Sequence, residues 1–248
     1  VSIAWTAEFK TRKGKTDMIT QMNAWTLLDT AMRHLRVVCV CGKPGIGKTF
    51  TAQGGSHPTN TVSLNLSEDT VVQELFGHYI PEGNAFVYHD GPVVTAFREG
   101  KTLVINELSR ASGAVKDALL SILDSKDSAR ITLADGETVT ASKNFRAVIT
   151  SNDSADELDP ALRDRCETVI NLTDPHPGLI SALNTAWAGL GDAVKDSWKD
   201  TSRAISTRAS FAYAKLRNAG VAQDTAAILA YSERAKDITD TFKLRGVL

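Results

Sequence analysis

Gly42-Lys43-Pro44-Gly45-Ile46-Gly47-Lys48-Thr49 is the stretch on which the reading of this chain turns. It meets the pattern Gly-x-x-x-x-Gly-Lys-Ser/Thr in full, directly after the apolar run Val37–Cys41 and directly before the helix-compatible Phe50–Ala52. At average residue usage the pattern arises by chance in roughly one chain in a hundred of this length. Its chemistry follows from its composition. Glycines let backbone N–H groups close around an anion with no Cβ in the way, and the start of a helix adds partial positive charge. Lys48 is placed to reach the β- and γ-phosphates, and Thr49 to offer a hydroxyl to Mg²⁺. Gly42, Lys43, Pro44, Gly45, Ile46, Gly47, Lys48, Thr49 and the adjoining Phe50 are therefore the expected nucleotide cradle. No Asn-Lys-x-Asp guanine-reading motif is present, so ATP is the expected nucleotide.

Working outward, five short β-rich runs separated by helical or loop segments predict a parallel sheet: Val37–Cys41, Thr61–Leu66, Thr102–Ile105, Arg146–Thr150 and Thr168–Leu172. Runs without strict alternation suit strands covered on both faces. Ahead of the first, Thr16–Leu35 predicts a helix capped by Thr16 or Asp17, with Ile19, Met22, Trp25, Leu28, Ala31 and Met32 near helical spacing. Ala114–Leu123 predicts another, and Asp135-Gly136 between Ile131–Leu133 and Thr138–Thr140 predicts a hairpin. From Asp174-Pro175-His176-Pro177-Gly178 the texture becomes alanine-rich and helical, which sets an α/β core over 1–174 and a helical part over 175–248. There, Asp224–Arg234 reads as a helix, and Lys236–Leu248 is too short and mixed to assign.

Composition excludes several function classes. A formal charge of -1 on 248 residues leaves no global footprint for nucleic acid or anionic lipid. No apolar run approaches the ~18 residues of a membrane span. Val1 opens the chain with no signal-peptide pattern and no initiator Met, which reads as a cytoplasmic protein that has been processed or trimmed. Cys39 and Cys41 share one face of a strand and, with Cys166, read as buried thiols in a reducing compartment. His34, His57, His78, His89 and His176 show no metal-ligand spacing, and Trp5, Trp25, Trp187 and Trp198 read as packing residues.

A phosphate cradle needs an acidic partner at a second strand end, and Thr102-Leu103-Val104-Ile105-Asn106-Glu107 ends in the right place. Glu107 is the candidate base that orients the attacking water. Asn106 stands where an Asp would hold Mg²⁺ through water. An amide keeps the oxygen and loses the charge, so with Thr49 still available the expectation is weaker metal binding and slow turnover.

Asp90-Gly91-Pro92-Val93-Val94-Thr95-Ala96-Phe97-Arg98-Glu99-Gly100, followed by Val104-Ile105-Asn106-Glu107-Leu108-Ser109-Arg110-Ala111, resembles the MoxR-like, dynein-related AAA+ ATPases over roughly residues 18–218. The resemblance implies a P-loop core of five strands, a C-terminal helical lid and a hairpin inserted in the second helix at Gly77–Asp90. It implies a further hairpin at Arg130–Thr140, and ring assembly, with six subunits expected and ATP at their interfaces. Carried over position by position, Asn152 matches the sensor 1 residue and Arg165 the arginine finger that reaches a neighbouring subunit, with Arg163 the alternative. Cys166 stands where a Phe is usual. Arg208, in Ser206-Thr207-Arg208, matches sensor 2 over the subunit's own triphosphate. The implied activity is ATP-driven remodelling of a protein client, in the family often one with a von Willebrand factor A domain. A nucleotide-gated assembly module, favoured by Asn106, is the alternative. A nucleic-acid translocase is disfavoured because Lys and Arg form no concentrated run.

Overall fold

The computed structural model describes residues 23–54, 60–124, 129–200 and 202–248. Its centre is a five-stranded parallel sheet in the order β2-β5-β8-β1-β9, formed by β1 (Val37–Gly42), β2 (Thr61–Asn65), β5 (Thr102–Asn106), β8 (Arg146–Ser151) and β9 (Thr168–Leu172). Each strand lies within one residue of its sequence-predicted bounds. All six residues of β1 are buried, as a central strand covered on both faces requires.

Alternate side chains along these strands feed two cores. Cys39, Cys41, Leu103, Ile105, Ala147 and Ile149 face one side. They meet Val93 and Phe97 of α4 (Pro92–Glu99) and Val115, Leu119 and Ile122 of α5 (Gly113–Leu123). Val38, Val40, Val104 and Val148 face the other, against Trp25 and Leu28 of α1 (Ala24–His34). That second core runs on without a break into the C-terminal helices: Ile180 and Leu183 of α7 (Pro177–Ala186), Val194 of α8 (Leu190–Ser197), Tyr213 of α9 (Thr207–Asn218), Ala226 of α10 (Gln223–Tyr231), and Ile238 and Phe242 of α11 (Ala235–Leu244). These five helices form the helical lid.

Three expectations shift. The first helix is described over Ala24–His34 with Asn23 as its cap, where Asn23 Oδ1 accepts from Trp25 N–H at 3.1 Å. The forecast cap at Thr16 or Asp17, Ile19 and Met22, and likewise Trp5 and His57, lie outside the described residues. Asp224–Arg234 divides into α10 and a 3₁₀ turn over Ser232–Arg234, because Ser232 takes a φ of +52° and breaks the helix. Lys236–Leu248, left unassigned, contributes α11. Its Ala235, Ile238, Thr239 and Phe242 recur at helical spacing and are all buried, while Lys236, Asp237, Asp240 and Lys243 place charges between them.

Two hairpins leave the core. The first, β3 (Gly77–Glu82) paired with β4 (Ala85–Asp90), stands between α3 (Val72–Phe76) and α4, and most of its side chains face solvent on both sides. It joins the core through a narrow neck. Gly91 N–H donates to Phe76 O at 2.8 Å, and Tyr88 Oη donates to the same carbonyl at 3.0 Å. A Cβ on Gly77 would lie 2.2 Å from His89 O, and one on Gly91 2.3 Å from Leu75 O, so only glycine fits at either end. The second hairpin pairs β6 (Arg130–Thr132) with β7 (Thr138–Thr140). Arg98 on α4 binds both: its Nε donates to Asp90 at 2.7 Å, and its two terminal nitrogens donate to the two oxygens of Glu137 at 2.7 Å each. This fork raises the Arg98 pKa and lowers that of Glu137.

Candidate functional site

The C-terminal ends of β1, β5 and β8 present the site, as expected where a parallel sheet feeds loops to one edge. The phosphate loop leaves β1 at Gly42 and enters α2 (Lys48–Ala52) through Gly47. Lys48 is buried, and its Nζ donates to Gly42 O, to Lys43 O at 3.0 Å and to Asn152 Oδ1 at 2.9 Å. Burial lowers its pKa, and the nearby Glu107 carboxylate opposes the shift.

Asn106, at the last position of β5, is only 4% exposed and makes five hydrogen bonds. Its Oδ1 accepts from Thr49 Oγ1 at 3.1 Å and Thr150 Oγ1 at 2.8 Å. Its Nδ2 donates to Ser63 Oγ at 3.2 Å, Leu64 O at 3.2 Å and Asn65 Oδ1 at 3.1 Å. A backbone carbonyl can only accept, so Leu64 O fixes which way the amide points. The Thr49 hydroxyl thus spends its proton on Asn106 and keeps its lone pairs for a cation. That donor set, one hydroxyl oxygen with phosphate oxygens to follow, suits a hard ion such as Mg²⁺.

Glu107 follows in a left-handed conformation, φ +60° and ψ +38°, which a non-glycine residue adopts at a cost of about 1–3 kcal/mol. Asn152, just past the end of β8, donates from Nδ2 to Glu107 Oε1 at 3.1 Å, and Arg110 Nε lies 3.4 Å from Oε2. Asn152 therefore bridges Lys48 and Glu107, one through each end of its amide.

A cleft of about 590 Å³ gathers Lys48, Thr49, Asn106, Glu107, Asn152 and Arg208. Pro44, Gly45, Gly47 and Phe50 also line it, whereas Gly42, Lys43 and Ile46 do not, Ile46 having its side chain fully buried. Arg208 arrives on the first turn of α9, whose cap Ser206 accepts from Ala209 N–H. Thr150, Ser206, Thr207, Leu179 and Phe211 line the cleft too and were not singled out from the sequence. Their signal was adjacency alone, in Thr150-Ser151-Asn152 and Ser206-Thr207-Arg208.

Two predicted residues stand elsewhere. Arg163 and Arg165, on α6 (Pro160–Arg165), do not line the cleft. Arg163 donates to Ala155 O at 3.2 Å and lies 3.7 Å from Asp156, while among the described residues Arg165 donates only to Ala161 O of its own helix, at 3.0 Å. A larger groove, about 900 Å³, opens between α1 and α7 near Trp25, Asp174 and Lys195 and contains none of the phosphate-loop residues. Beside it His176, the cap of α7, accepts from Gly178 N–H at 3.0 Å and packs edge-on against Trp25 and Phe50. Burial lowers its pKa.

Residues 37–166, more than half of the chain, match the family described as AAA domain (dynein-related subfamily). The chain belongs to this family of AAA+ ATPases. Within it, the chain is 34% identical over 139 residues to midasin of Dictyostelium discoideum, covering 54% of this chain and 2% of midasin. It is 30% identical over 158 residues to the gas vesicle ATPase GvpN of Haloferax mediterranei, covering 53% and 45%. It is 31% identical over 110 residues to von Willebrand factor A domain-containing protein 8 of Mus musculus, covering 44% and 6%. The chain thus spans under half the length of these relatives. Nucleotide binding and ATPase activity are the general chemistry of the MoxR-like, dynein-related AAA+ group.

Proposed function

We propose that this AAA+ protein hydrolyses Mg-ATP at the interfaces of a ring and uses the cycle to remodel a protein client. The observation that carries the reading is the convergence of Lys48, Thr49, Asn106, Glu107, Asn152 and Arg208 on one cleft. Lys48 and Arg208 bind the β- and γ-phosphates as fixed cations, and Thr49, steadied by Asn106, holds Mg²⁺. When bound, the metal neutralises charge on the phosphates. Glu107 takes a proton from the attacking water as its oxygen bonds to the γ-phosphorus. The bond from that phosphorus to the β–γ bridging oxygen breaks, and ADP leaves. Asn152 keeps Glu107 in line through its 3.1 Å hydrogen bond.

Arg165 is the residue we assign to the neighbouring subunit's γ-phosphate. It does not line its own cleft and, among the described residues, hydrogen-bonds only within its own helix, whereas Arg163 is drawn back to Ala155 and Asp156. We assign residues 1–174 to the core and 175–248 to the lid, and client contact to the hairpin Gly77–Asp90, where Phe86 is 73% exposed beside Tyr79 and Val87. The similarity to a von Willebrand factor A domain-containing protein supports a client that carries such a domain.

The neutral Asn106 favours a second reading, in which nucleotide drives assembly and turnover is slow. One experiment decides. The ATPase rate per subunit of wild type, Glu107→Gln and Arg165→Ala is followed across protein concentration. A motor gives a wild-type rate that rises with concentration and falls about a hundredfold or more in either variant, with ATP binding retained. A rate independent of concentration and indifferent to Arg165 removes the shared site.

A further inference from the structure

The lid grips the phosphate loop through its backbone carbonyls. Two successive carbonyls of the loop accept hydrogen bonds from two separate lid elements. The Thr207 hydroxyl, on the first residue of α9, donates to Gly45 O, and the His176 N–H, at the cap of α7, donates to Ile46 O at 2.9 Å. Thr207 is 3% exposed, so little solvent reaches its side chain. Gly45 has a φ of +84°, and a Cβ there would lie 2.8 Å from Ser206 Oγ, the residue before Thr207. Glycine at this position is therefore required on the lid side of the loop as well as on the phosphate side.

A peptide group is one polarisable unit: a donor placed on its carbonyl makes the N–H of the same unit a stronger donor in turn. The Gly45 carbonyl shares its unit with the Ile46 N–H, and the Ile46 carbonyl with the Gly47 N–H. Loops of this pattern cradle phosphate with such N–H groups. We propose that Thr207 is a positioning residue for nucleotide: by holding the Gly45 carbonyl, its hydroxyl orients and strengthens the Ile46 N–H toward the phosphates that ATP and ADP have in common. The proposal rests on the reading of Gly42–Thr49 as the nucleotide cradle. It also gives the lid a direct hold on phosphate affinity that is independent of the Arg208 guanidinium. Moving α9 away would weaken the cradle even where no side chain leaves the ligand.

Titration of the whole purified chain with fluorescent ATP and ADP analogues tests this, comparing wild type with Thr207→Val and Thr207→Ser. Thr207→Val is expected to lose affinity for both nucleotides by the same factor, about five- to tenfold for one buried hydrogen bond, while Thr207→Ser stays within about twofold. Unchanged binding by Thr207→Val overturns the proposal. So does a loss confined to ATP, which would trace to displacement of Arg208 from the γ-phosphate. Should Thr207→Val not fold, Thr207→Ala takes its place, and the rise in melting temperature on adding ADP is read. A merely structural Thr207 lowers melting equally with and without ADP and leaves the rise intact, which overturns the proposal; a diminished rise supports it. Lys48→Ala separates the two levels of argument. If that variant binds ATP as wild type does, the cradle itself is refuted. If it loses binding while Thr207→Val keeps it, the role of Thr207 alone falls.

Discussion

Asn106 and Phe86 are twenty residues apart and live under opposite constraints. The Asn106 amide is 4% exposed, with three donor and two acceptor contacts drawn from β2, α2 and β8. Phe86 is 73% exposed near the tip of a hairpin that touches the core through its neck and through Arg98. Around Asn106 every side-chain group has a partner, so this corner of the candidate site is fixed by the protein's own contacts. Around Phe86 a large apolar surface is left uncovered, and the backbone ladder carries the element. The candidate site thus lies where the fold permits little adjustment, and the contact surface proposed above where it permits much.

Asn106→Asp attacks the first half of this contrast and should have the larger effect. It removes the amide donors to Leu64 O, Ser63 and Asn65 and sets a carboxylate about 3.2 Å from the Leu64 carbonyl oxygen. Denaturant unfolding without nucleotide should show a loss of about 1–3 kcal/mol. Stability equal to wild type would mean that the amide nitrogens are dispensable and that the position merely lacks its charge.

Arg98→Ala attacks the junction between the two regions. Its three hydrogen bonds tie the end of β4 to the turn before β7. Amide exchange should speed up in 77–90 and 132–138 together, with protection of β1 and β8 unchanged. Faster exchange in one hairpin alone would show that they are held separately.

Phe86→Ser sharpens the contrast with the smallest effect. Stability should move by no more than about 0.5 kcal/mol, because the ring is already in water. A larger loss would mean that the ring supports the hairpin instead of waiting for a partner.

Much of this was legible in the sequence, for reasons that particular residues make plain. Val37–Cys41 could be read as a strand because both faces of β1 are buried and every residue is apolar or small. The cradle could be read because phosphate binding by backbone is a local act of eight consecutive residues. Glu107 and Asn152 could be placed because each follows a readable strand. The hold of Thr207 on Gly45 spans 162 positions, and nothing in the spacing of either segment signals it. The partners of Asn106 on β2 were hidden for the same reason: Ser63 and Asn65 become neighbours only through the register Asn65↔Asn106. Helix α11 was missed because Lys236, Asp237, Asp240 and Lys243 mask a buried stripe of four residues. The role we propose for Arg165 concerns a neighbouring copy, so the geometry of a single chain does not display it.

The glycine neck at Gly77 and Gly91 makes the hairpin a detachable cassette. Both ends leave the core at fixed points, so the positions between them other than Tyr88 and Asp90, which bind Phe76 O and Arg98, can drift, lengthen or be exchanged while α3, α4 and the sheet stay in register. Selection acting on what this protein touches can therefore rewrite that segment freely without reopening the problem of how to hold ATP. The same two glycines mark where a foreign recognition loop could be spliced into the scaffold.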